Sequence, residues 1–218
     1  MTWLLDNLGL IGTLSLQHLR LSLVPILVGT LGAIPLGWIA WRFPFVRGGL
    51  LGAVGLVYTI PSLALFVLLP PILGIPFLSE WNVIIALTLY AVAILVRGAS
   101  DAFSSVGQAV LDQATALGYS PWQRFWRVEL PLAGPVILAG VRVVAVSTVA
   151  LVTVGVLVGV SSLGYFFTDG FQRRIPSEIA TGIIMTVAVA LVLDLLIVRV
   201  GRLLLPWSNA RRYGEVTT

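Results

Sequence analysis

Five long apolar stretches dominate this sequence, at about 21–41, 49–74, 82–99, 134–159 and 178–200. A helix needs roughly 20 mostly apolar residues to cross the hydrocarbon core of a bilayer, and each stretch is close to that length. Hydrophobic residues make up 58% of the chain and charged residues only 10%, against about 25% charged in an ordinary soluble domain. The sequence therefore predicts an all-α integral membrane protein with a single transmembrane domain over 1–218.

The two ends of the chain are less apolar than these stretches. Segment 1–19 carries Asp6, Gln17 and His18, and we expect it to lie on the membrane surface as an interfacial amphipathic helix, a sixth, weak span being the alternative. It lacks the basic start and small-residue cleavage site of a signal peptide, so we expect it to be retained. Residues 206–218 are predicted to form a cytoplasmic tail.

The arginines set the predicted orientation, because short cytoplasmic loops collect basic residues. With the N-terminus outside, nine arginines fall in the cytoplasm and three outside, while Arg142 lies within a span. The opposite orientation reverses that split. We therefore predict five spans, N-out and C-in. The nine cytoplasmic arginines are Arg42, Arg47, Arg97, Arg124, Arg127, Arg199, Arg202, Arg211 and Arg212.

Composition also limits the chemistry of the chain. All 13 basic residues are arginine, and a P-loop needs a lysine to reach nucleotide phosphates. The chain has no cysteine and a single histidine, His18, so a metal site or a convergent set of catalytic groups is not expected. The scattered arginines do not form the basic face of a nucleic-acid-binding protein. We expect neither an enzyme nor a cofactor of its own.

A cytoplasmic segment of about 30 residues, 100–131, separates the third and fourth spans. It is too long for a mere connection. Its first part places Val106, Val110, Ala114 and Leu117 at helical spacing. This spacing predicts a short amphipathic helix buried along that stripe.

The second part of the segment carries the signals of a turn and a new helix. Gly118 stands where a glycine in the left-handed conformation ends a helix. Ser120 is placed as an N-cap, with Pro121 at the first helical position and Gln123 at the capping-box position. We expect this second helix to run along the membrane face until Pro131 stops it. From these residues alone, an interfacial loop anchored by its tryptophans remains the alternative.

The same segment resembles the cytoplasmic motif of ABC importer permeases, written E-A-A, three residues, G, nine residues, I-x-L-P. In that family the motif forms the helix that docks into a groove on the ATPase subunit. The spacing is intact here, with Asp for Glu, Gln for Ala and Val for Ile. The matching residues, implied to couple this chain to an ATPase, are Asp112, Gln113, Ala114, Gly118, Val128, Leu130 and Pro131.

The resemblance extends over most of the chain and is strongest to the osmoprotectant branch, the permeases for glycine betaine, choline and carnitine. It is carried by segments 18–38, 58–75, 128–142 and 155–167, and T-I-P-S-L-A-L in the second of these is the most branch-specific run. In the last segment the family's glycine-rich G-x-G-G-L-G is G-V-S-S-L-G, residues 159–164.

What the resemblance implies is a transport subunit with the type I ABC importer fold in the bacterial cytoplasmic membrane. The implied partners are an ATPase dimer that binds ATP and Mg²⁺, a second permease chain that is either another copy or a related protein, and an extracellular solute-binding protein. No nucleic-acid partner is implied. An amino-acid or methionine-type permease is the nearest alternative. A stand-alone secondary transporter is less favoured, because it is expected to show internal repeats and ionisable residues near mid-membrane.

Pro61 is expected to kink the second span, because it lacks a backbone N–H and its ring clashes with the preceding turn. Thr59 and Ser62 are placed to satisfy the backbone groups that the kink frees. The kink is either a hinge of the translocation path or a static feature of packing. Tyr58 and Tyr90, with Phe66, are candidates for an aromatic path for a quaternary ammonium, although ordinary packing is the commoner role of such residues.

Two charged residues, Arg142 and Asp194, lie inside predicted spans. Charges in spans are costly in lipid and usually face protein or water, often in pairs. We predict that the two approach one another across spans four and five, as a structural ion pair or as part of a gate, with separate snorkelling of each as the alternative. Gly155 and Gly159 are further predicted to form a small-residue face for helix packing.

Overall fold

The computed structural model describes Trp3 and residues 6–207, and the regular elements of this part of the chain are all helices joined by short turns. The α-helices are α1 Leu8–Arg42, α2 Pro44–Thr59, α3 Ser62–Leu73, α4 Glu80–Ser104, α5 Gln108–Ala116, α6 Pro121–Arg124, α7 Leu130–Val152, α8 Tyr165–Gln172 and α9 Pro176–Leu204. A turn of π-helix, Phe125–Glu129, joins α6 to α7, and a 3-10 helix, Thr153–Val158, follows α7.

Four helical stretches of the described chain are long and apolar enough to cross a membrane: Leu8–Arg42, Glu80–Ser104, Pro121–Val158 and Pro176–Leu204. Helices α2 and α3 form a pair bent by 106°, which makes a fifth if the pair is counted as one span. The five predicted apolar stretches fall within these elements to within one residue. The long third stretch contains α6, the π turn, α7 and the 3-10 helix without interruption.

The bent pair runs from one end of α4 to the other. Arg47, near the start of α2, lies 3.4 Å from Asp101, near the end of α4. Asn82, in the first turn of α4, donates a hydrogen bond of 2.8 Å to the carbonyl of Phe66 in α3. The break between α2 and α3 therefore bends the chain, but α3 continues towards the start of α4 and does not turn back towards its end.

The prediction of a separate interfacial helix over 1–19 is wrong for the residues that the structure describes. Helix α1 is continuous for 35 residues from Leu8, about 52 Å at 1.5 Å per residue. Its first turns stay in the bundle because Ile11 and Leu14 are buried against Leu163 and Phe166. Residues 1, 2, 4 and 5, and the predicted tail apart from Pro206 and Trp207, lie outside the described residues.

Helices α1 and α4 pack closely against one another through small residues. Ala33 of α1 is fully buried, and Gly29 and Gly37 flank it one turn away on either side. A Cβ on Gly29 would stand 2.4 Å from the Cβ of Ala91, and one on Gly37 would stand 2.5 Å from the Cβ of Ala99. The two backbones therefore approach at a distance that larger side chains exclude.

The predicted small-residue helix face at Gly155 and Gly159 is not present. Gly155 lies in the 3-10 helix, where a Cβ would contact Val83, and Gly159 ends that helix with φ +78°. The two glycines thus serve a turn. Ser162 completes this turn by donating to the carbonyl of Val152 at 3.2 Å and accepting from the N–H of Gly164 at 3.1 Å.

Candidate functional site

Helix α5 presents at the surface the first residues of the coupling motif, the seven residues within 112–131 that the resemblance implies to couple this chain to an ATPase. Asp112 and Gln113 are exposed, whereas Ala114 is buried together with Leu111. The side chain of Asp112 accepts a hydrogen bond of 2.9 Å from Gln108. The exposed face is therefore polar and the buried face apolar, as in an amphipathic helix.

The buried stripe of α5 differs from the predicted one. Val106 and Ala114 are buried as predicted, but Val110 is 39% exposed and Leu117 is 78% exposed. Helix α5 begins only at Gln108, so Val106 precedes the helix and does not set the phase of its apolar face. Leu111 takes the place that the spacing assigned to Val110.

The turn after α5 has the predicted local structure. Gly118 has φ +84°, and the N–H of Tyr119 donates to the carbonyl of Ala114 at 3.1 Å, which closes the helix end. Ser120 and Gln123 form a reciprocal capping box at the start of α6, with distances of 3.3 and 2.9 Å. Leu117 and Gly118 thus form an exposed corner between two capped helices.

Pro131 does not stop the second helix, contrary to the prediction. The chain passes from α6 through the π turn into α7, where the N–H of Leu130 donates to the carbonyl of Phe125, five residues earlier. A proline ring in a regular helix clashes with the carbonyl four residues before it. The wider π turn displaces the carbonyls that precede Pro131, so the helix continues into α7.

The two ends of the coupling motif lie in different environments. Asp112, Gln113 and Gly118 are exposed, whereas Val128 and Leu130 are half-buried against a cluster that contains Phe103 and Leu111. Pro131 is half-buried at the start of α7. The motif therefore combines an exposed surface with an internal attachment to the spans.

Glu129 is a functional candidate that the sequence reasoning missed. Its side chain is 1% exposed, and its Oε1 accepts a hydrogen bond of 2.7 Å from Nε of Arg124. Its Oε2 accepts a bond of 2.7 Å from the indole N–H of Trp38 in α1. Arg124 also donates to the hydroxyl of Thr115 in α5 at 3.1 Å. The signal in the sequence was an acidic residue in the apolar run V-E-L-P, five residues after an arginine.

The break at Pro61 separates α2 from α3, and hydroxyl groups satisfy the carbonyls near it. Thr59 donates to the carbonyl of Leu56 at 2.7 Å, a group that Ile60 would bond in an unbroken helix. The carbonyl of Ile60 accepts a hydrogen bond from the phenol of Tyr90 in α4. Thr59 therefore acts as expected, while Tyr90 takes the role that was expected of Ser62.

Two of the three candidate path aromatics meet beside this break. Tyr58 is 55% exposed and packs edge-on against Tyr90 with ring centroids 6.1 Å apart. Phe66 is fully buried in the core with Leu87, so it does not line an open surface of this chain. The exposed aromatic candidate is thus Tyr58, with Tyr90 behind it.

Arg142 of α7 and Asp194 of α9 are brought together as the sequence predicted. The guanidinium donates twice to the carboxylate, Nε to Oδ1 at 2.6 Å and a terminal nitrogen to Oδ2 at 2.9 Å. The Arg142 side chain is 48% exposed and that of Asp194 is 21% exposed. An ion pair open to this degree on a spanning helix faces water or protein more readily than lipid.

The comparisons with known proteins agree with this architecture. The sequence profile of the binding-protein-dependent transport system inner membrane component family matches residues 19–209. The chain belongs to that family. It is thus a multi-pass membrane subunit of a transport system. The matched range contains the whole coupling motif, the bent pair and the Arg142–Asp194 pair.

Three relatives of this chain align with nearly its whole length. The osmoprotectant import permease protein OsmW of Salmonella typhimurium is 31% identical over 94% of this chain and 96% of its own length. The carnitine transport permease protein OpuCB of Listeria monocytogenes is 32% identical over 91% of each chain. The choline transport system permease protein OpuBB of Bacillus subtilis is 29% identical over 92% of this chain and 91% of its own.

Solved structures show the same fold. A chain of the inward-facing MetNI methionine ABC transporter matches with a TM-score of 0.80 over 91% of this chain and 98% of its own length, at 19% identity. The fold is therefore that of an ABC importer permease.

Proposed function

We propose that this permease forms the translocation path of an ATP-driven importer for osmoprotectants such as glycine betaine, choline or carnitine. The observation that carries the proposal is the exposed corner of α5, Leu117 and Gly118, built on the family's coupling motif and attached to the spans through α6. The substrate class is supported by the relatives OsmW, OpuCB and OpuBB, which are about 30% identical to this chain over nearly its full length.

We place the permease in the bacterial cytoplasmic membrane with five crossings, its N-terminus outside and its C-terminus inside. This arrangement puts Arg42, Arg47 and Arg124 on the cytoplasmic side, in accord with the bias of basic residues. An ATPase dimer, which binds ATP and Mg²⁺, docks on the cytoplasmic face. A second permease chain completes the path, and a solute-binding protein delivers the substrate outside.

In this proposal, α5 acts as a lever. Its exposed Asp112 and Gln113 face the ATPase, and its buried Leu111 and Ala114 hold it to the ends of the spans. Closure of the ATPase pair displaces α5, and the spans follow from an inward-open to an outward-open packing. Nucleotide shifts the population between the inward-open and outward-open packings, because it stabilises the packing with which it makes the better contacts.

The bent pair and the intramembrane ion pair are the proposed moving parts of the path. The break at Thr59, Pro61 and Ser62 gives α2 and α3 separate axes. Tyr58 places an exposed ring beside that break, with the buried Tyr90 packed behind it, and ring faces attract quaternary ammonium groups. The partly exposed Arg142–Asp194 pair joins α7 to α9, and its opening when these helices move apart is the proposed gate.

Uptake of labelled glycine betaine tests the proposal. Cells that lack this chain are grown at high external osmolarity and supplied with the wild type, Gly118→Asp or Gly107→Asp. Gly118 has φ +84°, where a side chain is strained, while Gly107 at the other end of α5 has φ −60°. We expect the wild type and Gly107→Asp to restore ATP-dependent uptake and Gly118→Asp to insert normally without restoring it.

Two results would count against the proposal. Normal uptake by the Gly118→Asp variant would contradict the lever. Failure of the inserted wild type to restore uptake would contradict the osmoprotectant assignment, and labelled methionine would then be tested, because the fold is shared with a methionine transporter.

A further inference from the structure

Glu129 connects three elements that move separately if α5 is a lever. Its carboxylate bonds Trp38 in α1 and Arg124 in α6, and Arg124 bonds Thr115 in α5. Trp38 and Glu129 are 91 residues apart in the chain. The chain of contacts from Thr115 to Trp38 thus runs from the proposed ATPase-facing helix to the first span.

The surroundings of Glu129 fix its position. The carboxylate is buried at one end of a row of rings. The ring centroids are 5.4 Å apart for Trp38 and Phe125, 6.1 Å for Phe125 and Phe103, and 6.0 Å for Phe103 and Trp41. A buried carboxylate is costly unless it is paired and hydrogen-bonded. Both oxygens of Glu129 have a partner here, so losing either partner leaves an unmet polar group.

The π turn explains why these groups face one another. In a regular α-helix, residues four apart lie on the same face, whereas Arg124 and Glu129 are five apart. The π turn over 125–129 brings residues five apart into register. It therefore directs the carboxylate to Arg124 on its own segment and to Trp38 on the neighbouring span.

We infer that Glu129 is a positioning residue that joins α5 and α6 to α1, so that displacement of the coupling helix moves the first span. This inference rests on the proposed function. Without the carboxylate, α5 keeps the apolar packing of its own Leu111 against Phe103 and Ile137, but the directional link to α1 is lost. ATP hydrolysis then continues while fewer molecules of solute are carried per ATP.

The first test needs neither substrate nor ATPase. The chain has no cysteine, so spin labels placed through Ala116→Cys in α5 and Arg42→Cys at the end of α1 report one distance in the full-length protein in lipid nanodiscs. We expect a narrow distance distribution for the labelled wild type and a broad one for Glu129→Gln and for Trp38→Phe, which keeps a ring and loses the N–H. The matched control is Asp101→Asn, an acid whose side chain is 60% exposed in the pair with Arg47 at the same end of the bundle.

The link itself is tested by combining variants. If Arg124 and Glu129 act through one contact, the double variant Arg124→Met with Glu129→Gln broadens the distribution no further than Glu129→Gln alone. A distribution as narrow in Glu129→Gln and Trp38→Phe as in the Asp101→Asn control would overturn the inference.

The second test uses the complete transporter with its ATPase and binding protein in proteoliposomes. For Glu129→Gln we expect the ATP hydrolysed per imported glycine betaine to rise about tenfold, the scale set by one hydrogen bond to a charged group. A purely structural defect lowers hydrolysis and uptake together, so an unchanged ratio would overturn the inference. If the wild type hydrolyses ATP without importing betaine, the substrate assignment fails, and the label distances decide the role of Glu129 independently.

Discussion

Replacing Gly37 by alanine tests the close approach of α1 and α4. The new Cβ would stand 2.5 Å from the Cβ of Ala99, 2.9 Å from the backbone nitrogen of Ser100 and 3.0 Å from the carbonyl oxygen of Val96. Carbon atoms pack at about 3.5–4.0 Å, so the helices must separate by about 1 Å. Two of the three atoms belong to the backbone, so no side-chain rotation relieves the contact.

The expected loss follows from two opposing effects. Overpacking of a close-packed core costs about 1–3 kcal/mol, and exchanging glycine for alanine within a helix returns about 1 kcal/mol. We expect Gly37→Ala to lower the free energy of unfolding by about 1 kcal/mol, and by at most about 2 kcal/mol. At about 2–4 °C per kcal/mol for a chain of this size, the apparent Tm in detergent falls by about 3 °C.

Gly32→Ala is the matched control on the same helix. Its Cβ would stand 3.5 Å from Cγ2 of Val92, an ordinary contact with a side chain. We expect this variant to be as stable as the wild type or more so. The apparent Tm of the two variants is compared by heating both at the same rate and measuring the remaining folded protein by size-exclusion chromatography. If Gly37→Ala melts at or above Gly32→Ala, α1 and α4 do not pack at the distance described here.

Two further predictions concern the path. Arg142→Asp and Asp194→Arg should each reduce the amount of folded protein in the membrane, because each variant leaves two like charges about 3 Å apart in a span. The double variant should restore that amount, as measured by an immunoblot of the membrane fraction. No recovery in the double variant would exclude a mutual pair. Tyr90→Phe should lower the free energy of unfolding by about 1–3 kcal/mol, since the carbonyl of Ile60 loses its donor, and an unchanged melting temperature would show that water or another group replaces the phenol.

The sequence alone determined the features that depend on a few neighbouring residues or on the bilayer. The length of the apolar stretches predicts which helices can cross a membrane. The break at Pro61, the left-handed turn at Gly118 and the capping box at Ser120 follow from local backbone chemistry. The pairing of Arg142 with Asp194 was also predictable, because two charges in apolar spans have few other partners.

Tertiary structure alone decided the features that depend on distant partners. The first turns of α1 join the bundle because Leu163 and Phe166 fold back onto Ile11 and Leu14. Pro131 continues a helix because a π turn precedes it, and the carboxylate of Glu129 faces the indole of Trp38, 91 residues away. Local periodicity does not predict such contacts, because tertiary packing determines which face of a helix is buried and which polar group has a hydrogen-bond partner.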